Sequence, residues 1–419
     1  MASGKNQALK IIASLALIFC AGGFALSAQI YQEAIISAFF SVALASVIVL
    51  HLRVRPAWQD ALLILAGTAL LGLVDFGLFK YPRALMAWLS FAGLMSLLVL
   101  GIRAVWAEGE SRKPLICAWV PALLFVSSEW FASTLLDWTT AAHPKTLDLY
   151  LFSFDSSMRV QLSFLVARWF WQISWLRLVG MFFYLGLPLT IAMVYAGQLV
   201  RRQEKAFPAM LAFLFTGPVG ALFYNLFPAV SPKMLFARNF PFNPLPASQV
   251  VRLFLEPIPL QGPRNAMPSL HLAWTLLAWW YSRGLSWWER AIAFAFLAFT
   301  ALATLGSGEH YFIDLIVAFP FALMMEALCE YSLSYKDPRR LAAFLFGIFV
   351  TLGWFAALRY FGKLFWTSPL IPWSLAAATV ALTILRHREF RRAVDTGESA
   401  ANPQPELTLV ASGVSTAGR

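Results

Sequence analysis

Charged side chains are scarce in this chain of 419 residues. Asp, Glu, Lys and Arg together make up 13% of the sequence, whereas hydrophobic residues make up 60%. A soluble protein of this length needs far more charge to cover its surface. The composition therefore indicates an integral membrane protein with many apolar segments.

Cysteine is also rare, which excludes a disulfide-stapled fold. Cys20, Cys117 and Cys329 all lie inside apolar runs, where a disulfide framework or a paired-cysteine zinc site is not expected.

The net charge of +11 raises the question of nucleic acid, but the basic residues lie scattered between apolar runs. This distribution is typical of the cytoplasmic loops of membrane proteins, so we expect a bilayer and no nucleic-acid partner.

Apolar runs long enough to cross a bilayer follow one another along the chain. A transmembrane helix needs about 20 predominantly apolar residues. We therefore predict an all-α, polytopic membrane bundle of about twelve transmembrane helices, in which the first run is a true span and not a cleaved signal peptide. The predicted spans are residues 9–28, 31–52, 58–79, 84–106, 114–136, 176–198, 206–228, 269–283, 290–306, 310–330, 341–358 and 367–385.

The distribution of basic residues predicts the orientation of these spans. If the N-terminus is cytoplasmic and the spans alternate, most of the 32 Lys and Arg residues fall on the cytoplasmic side. Short outer loops hold very few of them, as the positive-inside rule requires. We therefore expect both termini in the cytoplasm.

Two outer segments are too long to be simple turns. Residues 137–175 are rich in aromatic residues and predict a helix at the membrane interface, with a lid over a lipid headgroup as the alternative. Residues 228–268 contain nine of the chain's 23 prolines, which favours irregular backbone. Such backbone is tolerated near membrane depth only where protein covers it or where it lines a wet cavity.

Two histidines combine with one aspartate into a candidate catalytic set. His271 follows Pro268-Ser269-Leu270, and His310 begins the block His310-Tyr311-Phe312-Ile313-Asp314. The chain crosses out and back between them, so both histidines are expected on the outer side. Asp314 lies four residues after His310 and shares its helix face, where a carboxylate can hold an imidazole in one tautomer. An acidic residue one turn into a span is costly without a partner, which favours a functional role.

Other interpretations of these residues remain open. Each histidine alone is explained as a polar residue at a helix end. Two histidines and a carboxylate also suit a zinc site with an open position, although the helical zinc-protease signature is absent. A transporter would instead need intramembrane charges along a pathway, for which Asp75 and Glu129 are the candidates. A glycosyltransferase using a lipid-linked sugar would need an acidic outer loop, for which the candidates are Asp137, Asp148 and Asp155.

The two histidine motifs resemble those of the type 2 phosphatidic acid phosphatase superfamily. The leucine before His271 and the His-Tyr-x-x-Asp block look most like the inositol phosphorylceramide synthase branch and its bacterial relatives. The likeness covers about residues 206–330. It implies that His310 is the nucleophile that takes a phosphoryl group, that Asp314 orients it, and that His271 exchanges protons with the leaving and incoming oxygens. It also implies that Ser269 helps to hold the phosphate oxygens, and that no metal or other cofactor takes part.

Two departures from the phosphatases of that superfamily concern the phosphate-binding cations. The usual Lys, six residues, Arg-Pro pattern is replaced by a proline-rich stretch, Tyr224 to Lys233, like that of the synthase branch. The arginine of a Ser-Arg pair before the second histidine is also missing, because Ala303 and Thr304 occupy those positions. We expect Lys233 to bind phosphate, with Arg264 and Arg238 behind it. The alternative for these three is that they are interfacial charges that meet anionic headgroups.

The resemblance implies a membrane lipid phosphotransferase or phosphatase, with transfer slightly favoured. Its substrates would be phospholipids, or polyprenyl or sphingolipid phosphates, and its site would face the periplasm or a lumen. We expect four N-terminal transmembrane helices in residues 1–113, a six-helix catalytic core with two outer loops in 114–330, two further helices in 331–386, and a cytoplasmic, disordered tail in 387–419.

Overall fold

The computed structural model describes residues 2–26, 38–54, 57–79 and 85–396. The expected disordered tail beyond residue 396 lies outside these residues. The predicted spans 9–28 and 31–52 are described only in part.

The described chain is helical, apart from two short strands that pair antiparallel. The strands β1 (Lys145–Thr146) and β2 (Ile258–Pro259) join the two long outer segments. The helices are α1 (Ala2–Leu26), α2 (Ala38–Arg53), α3 (Trp58–Phe79), α4 (Leu85–Trp106), α5 (Arg112–Ala142), α6 (Asp148–Ser157), α7 (Leu162–Gln172), α8 (Ser174–Leu185), α9 (Leu187–Arg201), α10 (Gln203–Leu226), α11 (Pro232–Phe236), α12 (Ala247–Val250), α13 (Leu270–Tyr281), α14 (Trp287–Gly306), α15 (Phe312–Cys329), α16 (Pro338–Tyr360), α17 (Gly362–Phe365) and α18 (Leu370–Thr396), with 3-10 turns at Gly109–Ser111 and Ala237–Asn239.

The bundle is organised around α15. In its most apolar 18-residue window 83% of the residues are buried, against 17% in the corresponding window of α3. Its neighbours are α10, α13, α16 and α18, and they share the largest apolar core. Because α15 begins two residues after His310, the centre of the bundle leads directly to the candidate site.

An all-α polytopic bundle is confirmed, but fewer helices than expected are long enough to cross a membrane. Among the described residues seven are long and apolar enough, or eight if the bent pair α8–α9 counts as one span. The predicted span 269–283 is the clearest difference. It forms α13, whose 12 residues extend about 18 Å, less than the roughly 30 Å of a hydrocarbon core. The predicted span 176–198 bends by 51° between α8 and α9.

The two outer segments differ in regularity. Residues 228–268 contain only α11, α12, one 3-10 turn and β2, so the expectation of irregular backbone is confirmed. The aromatic segment instead forms α6, α7 and the start of α8. Trp169, Trp171 and Trp175 are exposed there, while Phe170 between them is 1% exposed and packs against Gly180 and Gly306. The position of these helices at a membrane interface stays a prediction.

Ion pairs join several basic segments at one end of the bundle. Arg53 Nη2 lies 2.7 Å from Glu289 Oε1, and Arg201 Nη2 lies 3.4 Å from Glu289 Oε2. Lys205 pairs with Asp395. These segments therefore lie together, and α14 runs from this end back towards the candidate site.

Candidate active site

His310 is held at the N-terminal end of α15 by a main-chain carbonyl. Its Nδ1 lies 2.8 Å from Ala266 O and 3.4 Å from Asp314 Oδ2. A carbonyl oxygen only accepts hydrogen bonds, so Nδ1 carries the proton in this arrangement and Nε2 keeps its lone pair. Asp314 Oδ2 also accepts the Tyr311 N–H at 2.8 Å. The carboxylate therefore closes the first turn of α15 beside the imidazole.

The structure brings His271 next to His310. Their ring centroids lie 6.4 Å apart, although 38 residues separate them in the chain. His271 lies in the first turn of α13, where the buried Ser269 is the N-cap and its Oγ accepts the Leu272 N–H at 3.4 Å. The Ser269 N–H donates to Asp314 O at 3.2 Å. This bond fixes the start of α13 against α15 and thereby sets the separation of the two imidazoles.

Burial lowers the pKa of His310 to about 4, because the imidazolium form loses its hydration. The Glu309 carboxylate and the contact with Ala266 O oppose this lowering of the pKa, but burial is the larger effect. The imidazole is therefore neutral near pH 7, which is the form with a nucleophilic Nε2.

Two further aspartates support the His310 block, and the sequence motifs do not contain them. Asp155 accepts the Phe312 N–H at 2.7 Å and the Ile313 N–H at 3.2 Å, one on each carboxylate oxygen. Asp148 accepts the Tyr311 hydroxyl at 2.9 Å and the Val230 N–H at 3.0 Å. Asp155 thus satisfies two amides at the start of α15 that have no partner within the helix, and Asp148 joins the Tyr311 side chain to the backbone at Val230.

The environment of these two carboxyl groups is apolar. Burial raises the pKa of Asp155 to about 8, and it raises the pKa of Asp148 as well. The signal in the sequence is their spacing, since seven residues place both on one face of α6. Both engage the His310 block, which ties them to the histidine site and not to a separate acidic loop of the kind that a glycosyltransferase would need. The third such candidate, Asp137, is exposed on α5.

Lys233 is the expected phosphate-binding cation that lies nearest the His310 block. Its N–H donates to Gly308 O at 3.1 Å, and its ammonium pairs with Glu309, the residue before His310. Gly308 has a φ of +74°, and a Cβ there would lie 2.5 Å from Phe240. A side chain there would also meet Lys233 Cβ at 3.1 Å, so the Lys233 segment and the His310 segment are packed closely together.

Arg264 and Arg238 occupy very different surroundings. The buried Arg264 donates from Nε to His143 O at 2.9 Å and from Nη2 to Pro144 O at 3.3 Å, and from Nη1 to Gly262 O. The two bonds to His143 and Pro144 thus join the two outer segments, while the bond to Gly262 stays within one of them. Arg238 is exposed on a 3-10 turn and forms no hydrogen bond or ion pair with another described residue. That either one binds phosphate stays a prediction.

The remaining candidates for other functions are dispersed. Asp75 is buried in α3, and the side chain of Glu129 lies outside the described part of the structure. Within the described ranges, no three His, Cys, Asp or Glu side chains are grouped to hold a metal ion.

Comparison with known proteins gives a family match that covers most of this site. Searches of curated proteins and of solved structures find no match to the chain. The match comes from a protein-family model and includes Lys233, His271, His310, Asp314 and Asp155. Asp148 lies one residue before the matched segment. Residues 149–328 of this chain match the family model described as the PAP2 superfamily.

Proposed function

We propose that this protein is a membrane enzyme that moves a phosphoryl group or a phospho-headgroup between lipid substrates, through an intermediate on His310. The observation that carries the proposal is the 6.4 Å separation of the His271 and His310 rings, with Nδ1 of His310 turned to Ala266 O. A reacting group about 3 Å from each catalytic nitrogen fits a gap of this size. The family match over the same residues supports phosphatase or phosphotransferase chemistry.

In the first step His310 Nε2 attacks the phosphorus of the donor. The phosphorus–oxygen bond to the donor's alcohol breaks, and His271, which enters this step as the imidazolium, gives a proton to the departing oxygen and becomes neutral. In the second step the acceptor hydroxyl gives its proton to His271 while its oxygen attacks the phosphorus, and the bond to Nε2 breaks. Two displacements replace one difficult step with two easier ones.

Transfer to an alcohol is slightly favoured over transfer to water. Ala303 and Thr304 stand where the phosphatases carry the Ser-Arg pair, and both are fully buried, so these positions supply no cation. Lys233 would then neutralise the charge that develops on the phosphoryl oxygens, leaving Glu309 when substrate binds. We place the protein in the inositol phosphorylceramide synthase-like branch on this basis, with its site at the outer face of the membrane.

Turnover of ³²P-labelled phosphatidic acid by the purified protein in mixed micelles tests the proposal. His310→Ala and Asp314→Ala should each reduce turnover, His310→Ala by about a thousandfold or more. Acid-labile, base-stable label should be trapped on the wild-type protein and not on His310→Ala. His143→Ala is the matched control, because its side chain contacts Asn225 outside the site.

Full activity in either His310→Ala or Asp314→Ala contradicts the mechanism, and loss of activity with a chelator favours a metal site instead. Offering inositol, glycerol or ceramide as acceptor separates the two reaction types. A new lipid identifies a transferase, and free phosphate alone identifies a hydrolase.

A further inference from the structure

The wall of the site beside His271 is aromatic, and part of it comes from outside the family-matched segment. The His271 ring stacks on Tyr184 with centroids 4.4 Å apart and planes 21° from parallel. Phe39, from the first turn of α2, lies 5.2 Å from His271 and 5.4 Å from Tyr184. Trp274 approaches edge-on from α13, 6.3 Å away.

These three aromatic residues offer mainly apolar surface to the space around His271. The only N–H of the Trp274 indole is already used, since Nε1 donates to Phe213 O at 2.9 Å. Phe39 has no polar group, and the Tyr184 ring lies flat against the imidazole. The polar group of this wall is the Tyr184 hydroxyl, on which the Glu309 carboxylate acts, and that carboxylate is paired with Lys233. A polyol placed here would lose more hydrogen bonds to water than this one hydroxyl replaces.

Further from the site, the neighbourhood of α2 is still mainly apolar. Ser46 and Leu50, about two and three turns beyond Phe39 on α2, line a cavity between α2, α5, α9 and α10. Phe213, whose carbonyl accepts the Trp274 N–H, lines this cavity too. An alkyl group that passes Phe39 therefore meets further apolar surface.

We propose that Phe39, Tyr184 and Trp274 form a subsite for the alcohol part of the substrate, that this alcohol is apolar next to its hydroxyl, and that α2 thereby determines specificity. The inference rests on the proposed function, because His271 is the group that would exchange a proton with the alcohol oxygen. The carbon bonded to that oxygen, with its neighbours, must then lie beside the His271 ring, where Phe39 packs. The N-terminal helices thus complete a site that the family-matched segment leaves open on one side.

Competition against turnover of labelled phosphatidic acid tests this subsite. The two competitors are hexyl phosphate and glycerol 3-phosphate, which share the phosphate and differ in the polarity of the alcohol. We expect hexyl phosphate to be the tighter inhibitor of the wild-type protein. In Phe39→Ala its Ki should rise about tenfold, as loss of one apolar contact predicts, while the Ki of glycerol 3-phosphate stays unchanged.

Two variants keep the test decisive. Phe76→Ala removes the same side chain from α3, where Phe76 is 55% exposed, and should change neither Ki. Phe39→Leu keeps part of the apolar contact and should give an intermediate Ki ratio, which decides the matter if Phe39→Ala loses all turnover.

An unchanged Ki ratio in the Phe39 variants, or an equal change in Phe76→Ala, overturns the subsite while His310-dependent turnover stands. Absence of inhibition by hexyl phosphate overturns it as well. Absence of any His310-dependent turnover of phosphatidic acid instead overturns the proposed function, and the subsite with it.

Discussion

At His310 the shortest polar contact is to the main chain and not to a carboxylate. Nδ1 lies 2.8 Å from Ala266 O and 3.4 Å from Asp314 Oδ2. A neutral acceptor fixes the tautomer without stabilising a positive charge as strongly as a carboxylate would. This is consistent with a pKa of His310 near 4, with burial as its largest cause.

We predict that His310 stays neutral down to about pH 4 in the folded protein. The unfolded chain takes up this proton near its ordinary pKa of 6.5, so the unfolded state binds more protons between the two values. Stability should therefore fall as the pH drops from 6.5 towards 4. NMR of ¹⁵N-histidine in lipid nanodiscs, assigned by difference with His310→Gln, measures the midpoint. A midpoint near 6.5 would contradict the prediction.

Asp155 is predicted to position His310 without touching substrate. Both of its oxygens accept main-chain N–H groups, from Phe312 and Ile313, so Asp155→Asn must set an NH₂ group against one of them. Loss of such a buried bond costs about 1–3 kcal/mol. If this cost falls on the transition state, kcat should fall by about fivefold to a hundredfold, with KM changed less.

Asp137→Asn is the control for this prediction, because Asp137 is an exposed carboxylate of the same outer segment. Steady-state kinetics with labelled phosphatidic acid separates kcat from KM. Equal kcat in the two variants, or a change in KM alone, would count against a positioning role for Asp155.

At the level of elements, α15 is anchored at both ends. Its C-terminal half carries the buried Glu326, which accepts from Arg391 Nε of α18 at 2.6 Å. His387 Nε2 lies 3.2 Å from Glu326 and its ring stacks on Trp280 of α13. A second carboxylate, Glu330, lies 3.4 Å from Arg391 Nη1. The helix that begins at the site is thus tied to α18 at the opposite end.

We predict that Arg391→Ala destabilises the protein by about 3–5 kcal/mol, because Glu326 would stay buried without its main cation. Thermal unfolding in detergent measures the effect, and Arg388→Ala, exposed on the same helix, is the matched control. Replacing Glu326 and Arg391 together with methionine should recover part of the loss, since Glu326 no longer lacks its cation, while the buried Glu330 still loses Arg391. Equal unfolding temperatures for Arg391→Ala and Arg388→Ala would refute the prediction.

The sequence predicts elements better than it predicts contacts between them. The spacing of His310 and Asp314 and the same-side placement of His271 follow from local periodicity and from counting spans. The ends of α13 follow to within two residues, because Ser269 caps its start and the polar turn Ser282 to Gly284 ends it. Contacts of Ala266 O or Phe39 cannot be read from any local pattern, since they join segments far apart in the chain.

Arg264 shows the same limit for a single side chain. Its place beside the motif suggests a phosphate-binding cation. In the folded chain it meets three main-chain carbonyls, those of His143, Pro144 and Gly262. Which acceptors surround an arginine depends on how the outer segments pack, and this is not encoded in their composition.

At the scale of the whole molecule, the ion pairs mark one end of the bundle as distinct from the end with the candidate site. Segments near Arg53, Arg201 and Glu289 meet at one end, and the C-terminal part of α18 joins them through Lys205 and Asp395. His271 and His310 lie at the other end. The alternation of sides assumed from the basic residues therefore agrees with the contacts between these segments, while the side of the membrane that each end faces is still a prediction.

That prediction follows from the positive-inside rule, which assigns the basic end to the cytoplasm. Cysteine labelling of intact cells with an impermeant maleimide tests it, in a background where Cys20, Cys117 and Cys329 are replaced by alanine. Phe242→Cys, in the exposed segment beside the site, should be labelled from outside, whereas Arg386→Cys on α18 should react only after permeabilisation. Labelling of Arg386→Cys in intact cells, with Phe242→Cys protected, would reverse the orientation and place the site in the cytoplasm. A phosphate donor made inside the cell would then reach His310 without crossing the membrane, so the labelling result also decides on which leaflet the substrate lipid must be sought.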